Sequence, residues 1–136
     1  MTTMYEARVM TAPEVYPEHK AYWEAAANNE LLLKKCTDCG EHHHYPRVFC
    51  PYCHSENVEW VKAQGYGTVY TFTVMRVGKP YAMAFVELNE GPRIMTNIVD
   101  CDFDQLHIGQ QVEVIFKQSG TEEAPGPAIV CFTPVE

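Results

Sequence analysis

The chain has 136 residues and is 46% hydrophobic, which suits one compact domain, or a small module attached to a slightly larger one. Its 18 acidic and 10 basic residues give a formal net charge of −8, which disfavours nucleic-acid binding because phosphate backbones are bound by clustered positive charge. Apolar runs are too short for a membrane span, and the N-terminus lacks the pattern of a signal peptide. The six cysteines therefore fit a reducing compartment, and we expect a cytoplasmic protein.

Residues 1–16 carry apolar side chains without a clear period, and two interpretations stay open. They form either a poorly ordered terminus or an arm whose apolar side chains are covered by another protein. A helix is predicted from Pro17, because proline suits the first helical position, Glu18 complements the positive helix end and the alanines at 25–27 favour helix. Asparagines at 28–29 provide a left-handed stop. The helix is too short to be stable alone, so it must dock on another surface.

Four cysteines follow in two closely spaced pairs, Cys36 with Cys39 and Cys50 with Cys53. Each two-residue spacer lets both sulfurs of a pair reach one Zn²⁺ at about 2.3 Å, and four thiolates complete its tetrahedral shell. The alternatives are disulfides, free thiols or a thioredoxin-like redox motif, but neither pair lies in the strand-to-helix context that such a motif needs. Because four cysteines leave no coordination position open, we predict a structural zinc.

Histidines cluster between and beside the two cysteine pairs. His42, His43 and His44 are adjacent, and because adjacent residues of an extended segment point to opposite sides, they cannot all bind one ion. We expect them to be solvated, with a ligand-contacting or pH-responsive patch as the alternative. His54 directly follows Cys53, and we expect an exposed residue there instead of an additional metal ligand.

The remaining pattern indicates β structure. Strands are predicted over residues 30–35 and 57–62 around the cysteines, and beyond Gly65 the apolar residues alternate with period two. A single helical turn at residues 103–107 separates the third and fourth of the strands in this second region, which is the layout of an OB-fold, a five-stranded, partly open barrel. These five strands are predicted over residues 68–77, 81–88, 92–99, 111–117 and 128–133.

We therefore predict a mainly β protein. An N-terminal arm and helix cover residues 1–29, a zinc ribbon covers residues 30–63, and an OB-fold domain covers residues 64–136. Cys101 and Cys131 are expected to be small buried hydrophobic residues, since the local sequence offers neither of them a histidine and an acid. Residues 120–127, rich in proline, glycine and acid, are expected to form a solvated loop, with a contact surface as the alternative.

Several segments resemble one bacterial and archaeal family, which joins a rubredoxin-like zinc ribbon to an acyl-CoA-associated OB-fold. The resemblance covers residues 17–134, and all four ribbon cysteines, which some relatives lack, are present. It is carried by ELLLKKCTDCG, YPRVFCPYC, VEWVKAQGYGTVYTFTVM, YAMAFVELNEGPRIMTNIV and IGQQVEVIF.

This resemblance implies an accessory role in acyl-CoA chemistry. Members of the family act as small non-catalytic subunits that brace thiolase-superfamily enzymes and help to form the acyl-CoA site. The expectation is a required subunit of a thiolase-type acyltransferase hetero-oligomer, of the kind that degrades β-ketoacyl-CoA with a bulky or aromatic acyl group. Thiolase chemistry needs a nucleophilic cysteine, an acid/base cysteine and histidines near an oxyanion site. The chain does not assemble that set, so no catalytic residue is expected here.

A CoA thioester bound jointly with the partner would need cations for its phosphates. Arg47 and Arg93 lie in the segments that match the family best, and we predict them as ligand-binding residues, although ordinary surface charges remain the alternative. Single-stranded nucleic-acid binding is the competing function, because OB-folds stack bases on aromatic residues such as Tyr66, Tyr70 and Phe72. The acidic composition disfavours it. The other candidate cations are Lys34, Lys35, Lys62, Arg76 and Lys79.

Overall fold

A computed structural model describes residues 3–135, in which a short helix and a three-stranded sheet precede a closed five-stranded barrel. The predicted mainly β architecture is confirmed. Within residues 3–135, no helix has the length and apolar character needed to cross a bilayer. The elements are α1 (Lys20–Ala27), β1 (Leu32–Cys36), β2 (His42–His43), β3 (Val58–Lys62), β4 (Tyr66–Met75), β5 (Tyr81–Leu88), β6 (Arg93–Ile98), β7 (Gln111–Gly120) and β8 (Pro125–Pro134).

The helix α1 begins after a 3₁₀ turn at Pro17–His19 and ends before Asn29, whose φ of 61° is left-handed, as predicted. Its buried side chains include Tyr22 and Ala26, which join the main hydrophobic core. The helix packs against both β1 and β8. It therefore docks at the boundary between the three-stranded sheet and the barrel, and this contact supplies the stability that eight residues lack alone.

The first sheet has the order β2-β1-β3 and is antiparallel throughout. Lys34 of β1 lies between His43 and Trp60 in register, and its ammonium nitrogen sits 4.2 Å from the centre of the Trp60 ring. Cys36 is the last residue of β1 and Cys39 lies in the turn after it, while Cys50 and Cys53 lie in the loop between β2 and β3, which matches the predicted ribbon. Leu31 and Leu33 are buried in the same cluster as the barrel core, so ribbon and barrel share one hydrophobic interior.

The barrel has the order β4-β5-β6-β8-β7 and closes through pairing of β4 with β7. Strand β5 shows the expected alternation: Ala82, Ala84 and Val86 are buried, whereas Met83 and Phe85 face outward. A 3₁₀ turn at residues 103–105 lies between the third and fourth strands, where the sequence predicts a helical turn. The OB-fold prediction is confirmed.

The segment predicted as a solvated loop at residues 120–127 is only partly a loop. Residues 121–124 are exposed, but β8 begins at Pro125 and pairs with β7 back to Gly120. The prediction failed because the N-terminal arm supports this hairpin: the Gly120 N–H donates to the Met10 carbonyl at 2.8 Å. A β-carbon on Gly126 would lie 2.5 Å from that of Ala12, so the glycine permits the close approach of the arm.

The described part of the arm lies against its own barrel. Tyr5 N–H donates to the Cys101 carbonyl at 2.9 Å, and Met10 is only 5% exposed beside Val99 and Cys131. Tyr5 and Met10 therefore pack against this chain's own barrel, whereas Val9, Val15 and Tyr16 are exposed, and cover by another protein stays a prediction for them. The arm's first two residues lie outside the described range. Cys131 is buried as predicted, whereas Cys101 is only partly buried.

Candidate metal centre and adjoining cleft

The four ribbon cysteines converge on one point. Their Sγ atoms all lie within 4.8 Å of one another, with Cys36 to Cys53 at 3.5 Å and Cys39 to Cys50 at 3.7 Å. Four sulfurs around a tetrahedral Zn²⁺ with bonds of about 2.3 Å would be separated by about 3.8 Å, so the donor set fits this ion. The cysteines are thus positioned to bind a metal, and all four coordination positions of zinc would be occupied by protein.

Both cysteine pairs have the same backbone geometry. Gly40 N–H donates to the Cys36 carbonyl and His54 N–H to the Cys50 carbonyl, each at 2.9 Å. Gly40 and His54 both adopt a positive φ, of 79° and 65°, which closes each turn behind its second cysteine. The Cys39 backbone N–H lowers the pKa of the Cys36 thiol to about 7, whereas the pKa values of Cys39 and Cys53 are raised. Binding of a metal would require all four thiols as thiolates. His54 is exposed, as predicted.

The expectation that the three adjacent histidines are solvated is wrong for His43, and His42 and His44 are only partly exposed. His43 is 2% exposed, and its Nε2 accepts a hydrogen bond from the Arg47 backbone N–H at 3.3 Å. His42 and His44 are partly exposed, so the three side chains do alternate, as the extended backbone requires. Burial lowers the pKa of His43 and lowers that of His44 to about 4, with His43 and His19 acting in the same direction on His44.

A cleft lies where α1, the loop after β2 and the barrel meet. Its volume is about 430 Å³, and its walls combine aromatic and aliphatic side chains with His44 and Arg93. A second depression of about 390 Å³, lined by Arg47, adjoins it across Tyr45. The two predicted arginines therefore lie in neighbouring depressions and do not share one. The walls of the cleft are Tyr22, Trp23, His44, Tyr45, Phe85, Arg93, Ile94, Met95, Ile129 and Val130.

Comparison with known proteins decides the family. Residues 23–59 match the family described as "ChsH2, rubredoxin-like zinc ribbon domain", and residues 60–117 match "ChsH2, C-terminal OB-fold domain". A "DUF35 domain-containing scaffold protein" of Methanothermobacter thermautotrophicus is 35% identical over 104 residues, covering 71% of this chain and 78% of the relative. The chain belongs to the DUF35 family.

Two further relatives are named for an aldolase and for an enoyl-CoA hydratase. A solved structure described as "Ltp2-ChsH2(DUF35) aldolase" is similar with a TM-score of 0.76 and 30% identity, over 90% of this chain and 98% of that one. A "Probable enoyl-CoA hydratase alpha subunit" of Thermomonospora curvata is 32% identical over 116 residues, which cover 81% of this chain. This chain spans only 36% of that relative's length. The resemblance inferred from the sequence is confirmed.

The candidate cations of this DUF35 chain differ in how far they are already engaged. Lys62 lies 3.5 Å from Glu30, and Arg76 lies 3.2 Å from Asp104. Within residues 3–135, the Arg47 side chain forms no hydrogen bond or ion pair. The Lys35 side chain likewise has no hydrogen-bond or ion-pair partner within those residues, so Arg47 and Lys35 are the candidate cations with the least competition from their own chain.

The DUF35 chain also exposes a broad apolar surface that the sequence analysis missed. We call it the ribbon–barrel face. It consists of the cleft and three depressions around it, each of which shares at least one of the residues Tyr45, Phe85, Arg93 and Met95 with the cleft. Met95 is 64% exposed and Phe85 is 43% exposed, although both are large and apolar. The signal was present in β5, where the alternation puts a phenylalanine at an outward position. Its large exposed apolar members are Tyr45, Val48, Phe49, Tyr52, Tyr70, Met83, Phe85 and Met95.

Proposed function

We propose that the chain is a zinc-binding, non-catalytic OB-fold subunit of a thiolase-type acyl-CoA enzyme complex, where it supports partner assembly and acyl-CoA binding. The observation that carries the proposal is the likeness to a chain of the "Ltp2-ChsH2(DUF35) aldolase", nearly all of which this chain covers. The same unit of zinc ribbon and barrel thus occurs in an enzyme that is described by two components. We assign residues 1–29, 30–63 and 64–136 to arm and helix, ribbon and OB-fold.

The ribbon–barrel face supports a protein partner. Contiguous exposed apolar surface of this kind is uncommon on a chain that works alone and typical of an interface. Methionines such as Met83 and Met95 adapt to irregular partner surfaces. We place the catalytic residues on the partner, a thiolase-fold subunit that degrades β-ketoacyl-CoA with a bulky or aromatic acyl group. The complex is proposed to be cytoplasmic.

The two thiols outside the ribbon support the placement of the catalytic residues on the partner. Burial raises the pKa of Cys101 and of Cys131 to about 11, so both thiols are protonated at neutral pH. Neither forms a hydrogen bond to a histidine within residues 3–135. We propose that the chain instead contributes Arg47 and Arg93 to the bound CoA thioester, and that the zinc maintains the ribbon.

A hydratase is the second candidate partner. It is favoured by the alignment of this chain with about one third of a "Probable enoyl-CoA hydratase alpha subunit". In that relative the matching segment is part of a longer polypeptide, which is named as a subunit of an enoyl-CoA hydratase. The two candidates differ in the reaction of the complex, which is thiolysis of a β-ketoacyl-CoA or hydration of an enoyl-CoA.

Co-expression tests the proposal. The full chain is tagged and expressed with the thiolase-like product of a neighbouring gene, and separately with a neighbouring hydratase-like product. Each complex is analysed by gel filtration and is assayed for thiolysis of a β-ketoacyl-CoA and for hydration of an enoyl-CoA. We expect a complex with the thiolase-like protein, which Phe85→Asp should abolish. Val77→Asp is the matched control, because Val77 is 85% exposed outside the ribbon–barrel face. The proposal would be refuted if the chain formed a complex with neither protein.

A further inference from the structure

The cleft between ribbon and barrel has the properties of a small-molecule site. Its volume of about 430 Å³ falls within the roughly 300–1,000 Å³ of such sites, which favour boundaries between structural units. Tyr22 and Trp23 of α1 form one wall, Tyr45 follows from the ribbon, and Phe85 and Met95 come from the barrel. The walls are thus mostly apolar and aromatic, and they suit a ring or a branched chain.

Arg93 occupies the polar end of this cleft. Its guanidinium carbon lies 3.9 Å from the centre of the Tyr70 ring, and its Nε donates to the Glu87 carboxylate at 3.1 Å. These two contacts hold the side chain, but within residues 3–135 neither terminal nitrogen donates a hydrogen bond. The two terminal N–H groups form the fork with which arginine binds carboxylate or carbonyl oxygen. Glu87 offsets part of the positive charge, which favours such a group over a doubly charged phosphate.

His44 lies at the same end. Together with Arg93 it lines both the apolar cleft and an adjoining polar depression of about 360 Å³. Its Nδ1 is buried and has no partner within the described residues, and its ring packs 5.2 Å from that of Tyr45. A proton on Nδ1 would leave a buried N–H without an acceptor, which is costly. The proton therefore belongs on Nε2, and the ring is a neutral donor at the boundary of the cleft.

We propose that this cleft binds an aromatic or branched acyl group, whose terminal carbonyl or carboxylate oxygen accepts hydrogen bonds from Arg93 and His44. The inference rests on the proposed function, because the acyl part of the thioester substrate or product is then the natural occupant. It adds a specific position for that group, and it separates the role of Arg93 from that of Arg47, which faces the neighbouring depression.

Binding is tested on the full zinc-loaded chain without a partner. The chain has two tryptophans, of which Trp23 lines the cleft and Trp60 lies beneath Lys34 in the ribbon. Phenylacetate is titrated while both indole N–H resonances are followed by NMR. We expect a saturable shift of Trp23 with a dissociation constant in the millimolar range, as suits so small a ligand, and no shift of Trp60. Acetate, which lacks the ring, and benzylamine, which reverses the charge, should not reproduce the shift.

Arg93→Met removes the fork and keeps most of the apolar stem, and it should weaken phenylacetate binding by about tenfold or more, because a charged hydrogen bond is lost. Arg76→Met is the matched control: the two arginine side chains are 54% and 52% exposed, but Arg76 pairs with Asp104 outside the cleft. An unmoved Trp23 resonance, an equal response to acetate, or unchanged affinity in Arg93→Met would overturn the inference. If phenylacetate does not bind but the complex still forms, only this inference is refuted. If phenylacetate binds but the chain does not co-purify with a partner, only the proposed function is refuted.

Discussion

Protonation of His44, a partly buried histidine at the ribbon–barrel boundary, should weaken the fold in mild acid. His44 packs against Tyr22 and Tyr45, with ring centres 5.7 and 5.2 Å away, and its Nδ1 is buried without a partner. Desolvation by burial lowers its pKa from the ordinary 6.5 to about 4, and the nearby rings of His43 and His19 contribute in the same direction. In the unfolded chain the same ring takes up a proton near pH 6.5.

The direction and size of the effect follow from this difference. As the pH falls below 6.5 the unfolded chain binds a proton that the folded chain refuses, so stability decreases until the pH reaches about 4 and is constant below it. The complete shift corresponds to about 3 kcal/mol, of which about 2 kcal/mol should be lost between pH 7.5 and pH 5. Above pH 7 the contribution should not change.

Urea unfolding at a series of pH values, with tryptophan fluorescence as the signal, measures this loss. His44→Phe keeps a flat ring but cannot titrate, so its free energy of unfolding should fall by about 2 kcal/mol less than that of the wild type over the same interval. His107→Gln, which removes an exposed histidine, is the control and should follow the wild type. Zinc content is measured at each pH, because acid also protonates cysteine ligands. Equal pH dependence in His44→Phe and wild type would refute the reasoning.

Three further outcomes are expected. Purified chain should contain one zinc ion by elemental analysis, and Cys50→Ser should lose the metal and become insoluble; a well-folded, metal-free protein would refute the ribbon assignment. Met10→Ala should lower the free energy of unfolding by about 2–3 kcal/mol in urea titrations, because Met10 is 5% exposed, whereas Val9→Ala, at a site 68% exposed, should change it by less than about 0.5 kcal/mol. Gly67→Ala should destabilise the barrel by more than about 1 kcal/mol in the same titrations, since its β-carbon would lie 2.6 Å from the Glu87 carbonyl oxygen; a neutral effect would contradict the close strand approach.

The features that the sequence could predict are those that depend on residues close together in the chain. The spacing of the four cysteines restricts their sulfurs to one small volume, whatever the rest of the chain does. Period-two alternation located all five barrel strands, because each strand must bury one face. The burial of His43 was not predictable in this way, since it depends on β2 pairing with β1 through only two residues. The same holds for the arm, whose covered residue Met10 meets Cys131, far away in the sequence.

The cleft was equally inaccessible from the sequence, because its walls come from three separate parts of the chain. Trp23 belongs to the helix, Tyr45 to the ribbon and Met95 to the barrel. Only a structure brings them together, and the alternation of β6 indicates no more than that Met95 points outward.

The shared interior links the metal to the cleft. Leu31 directly precedes β1 and Leu33 lies within it, and they are 2% and 0% exposed. Both belong to the same hydrophobic cluster as Val86 and Phe132 of the barrel. The ribbon therefore cannot lose its structure without exposing part of the barrel core. Since the wall residue Tyr45 lies between the two cysteine pairs, a metal that joins those pairs also restrains this wall. A zinc ion bound there would act on the proposed acyl site through position alone, which is how a metal with no open coordination site can affect binding.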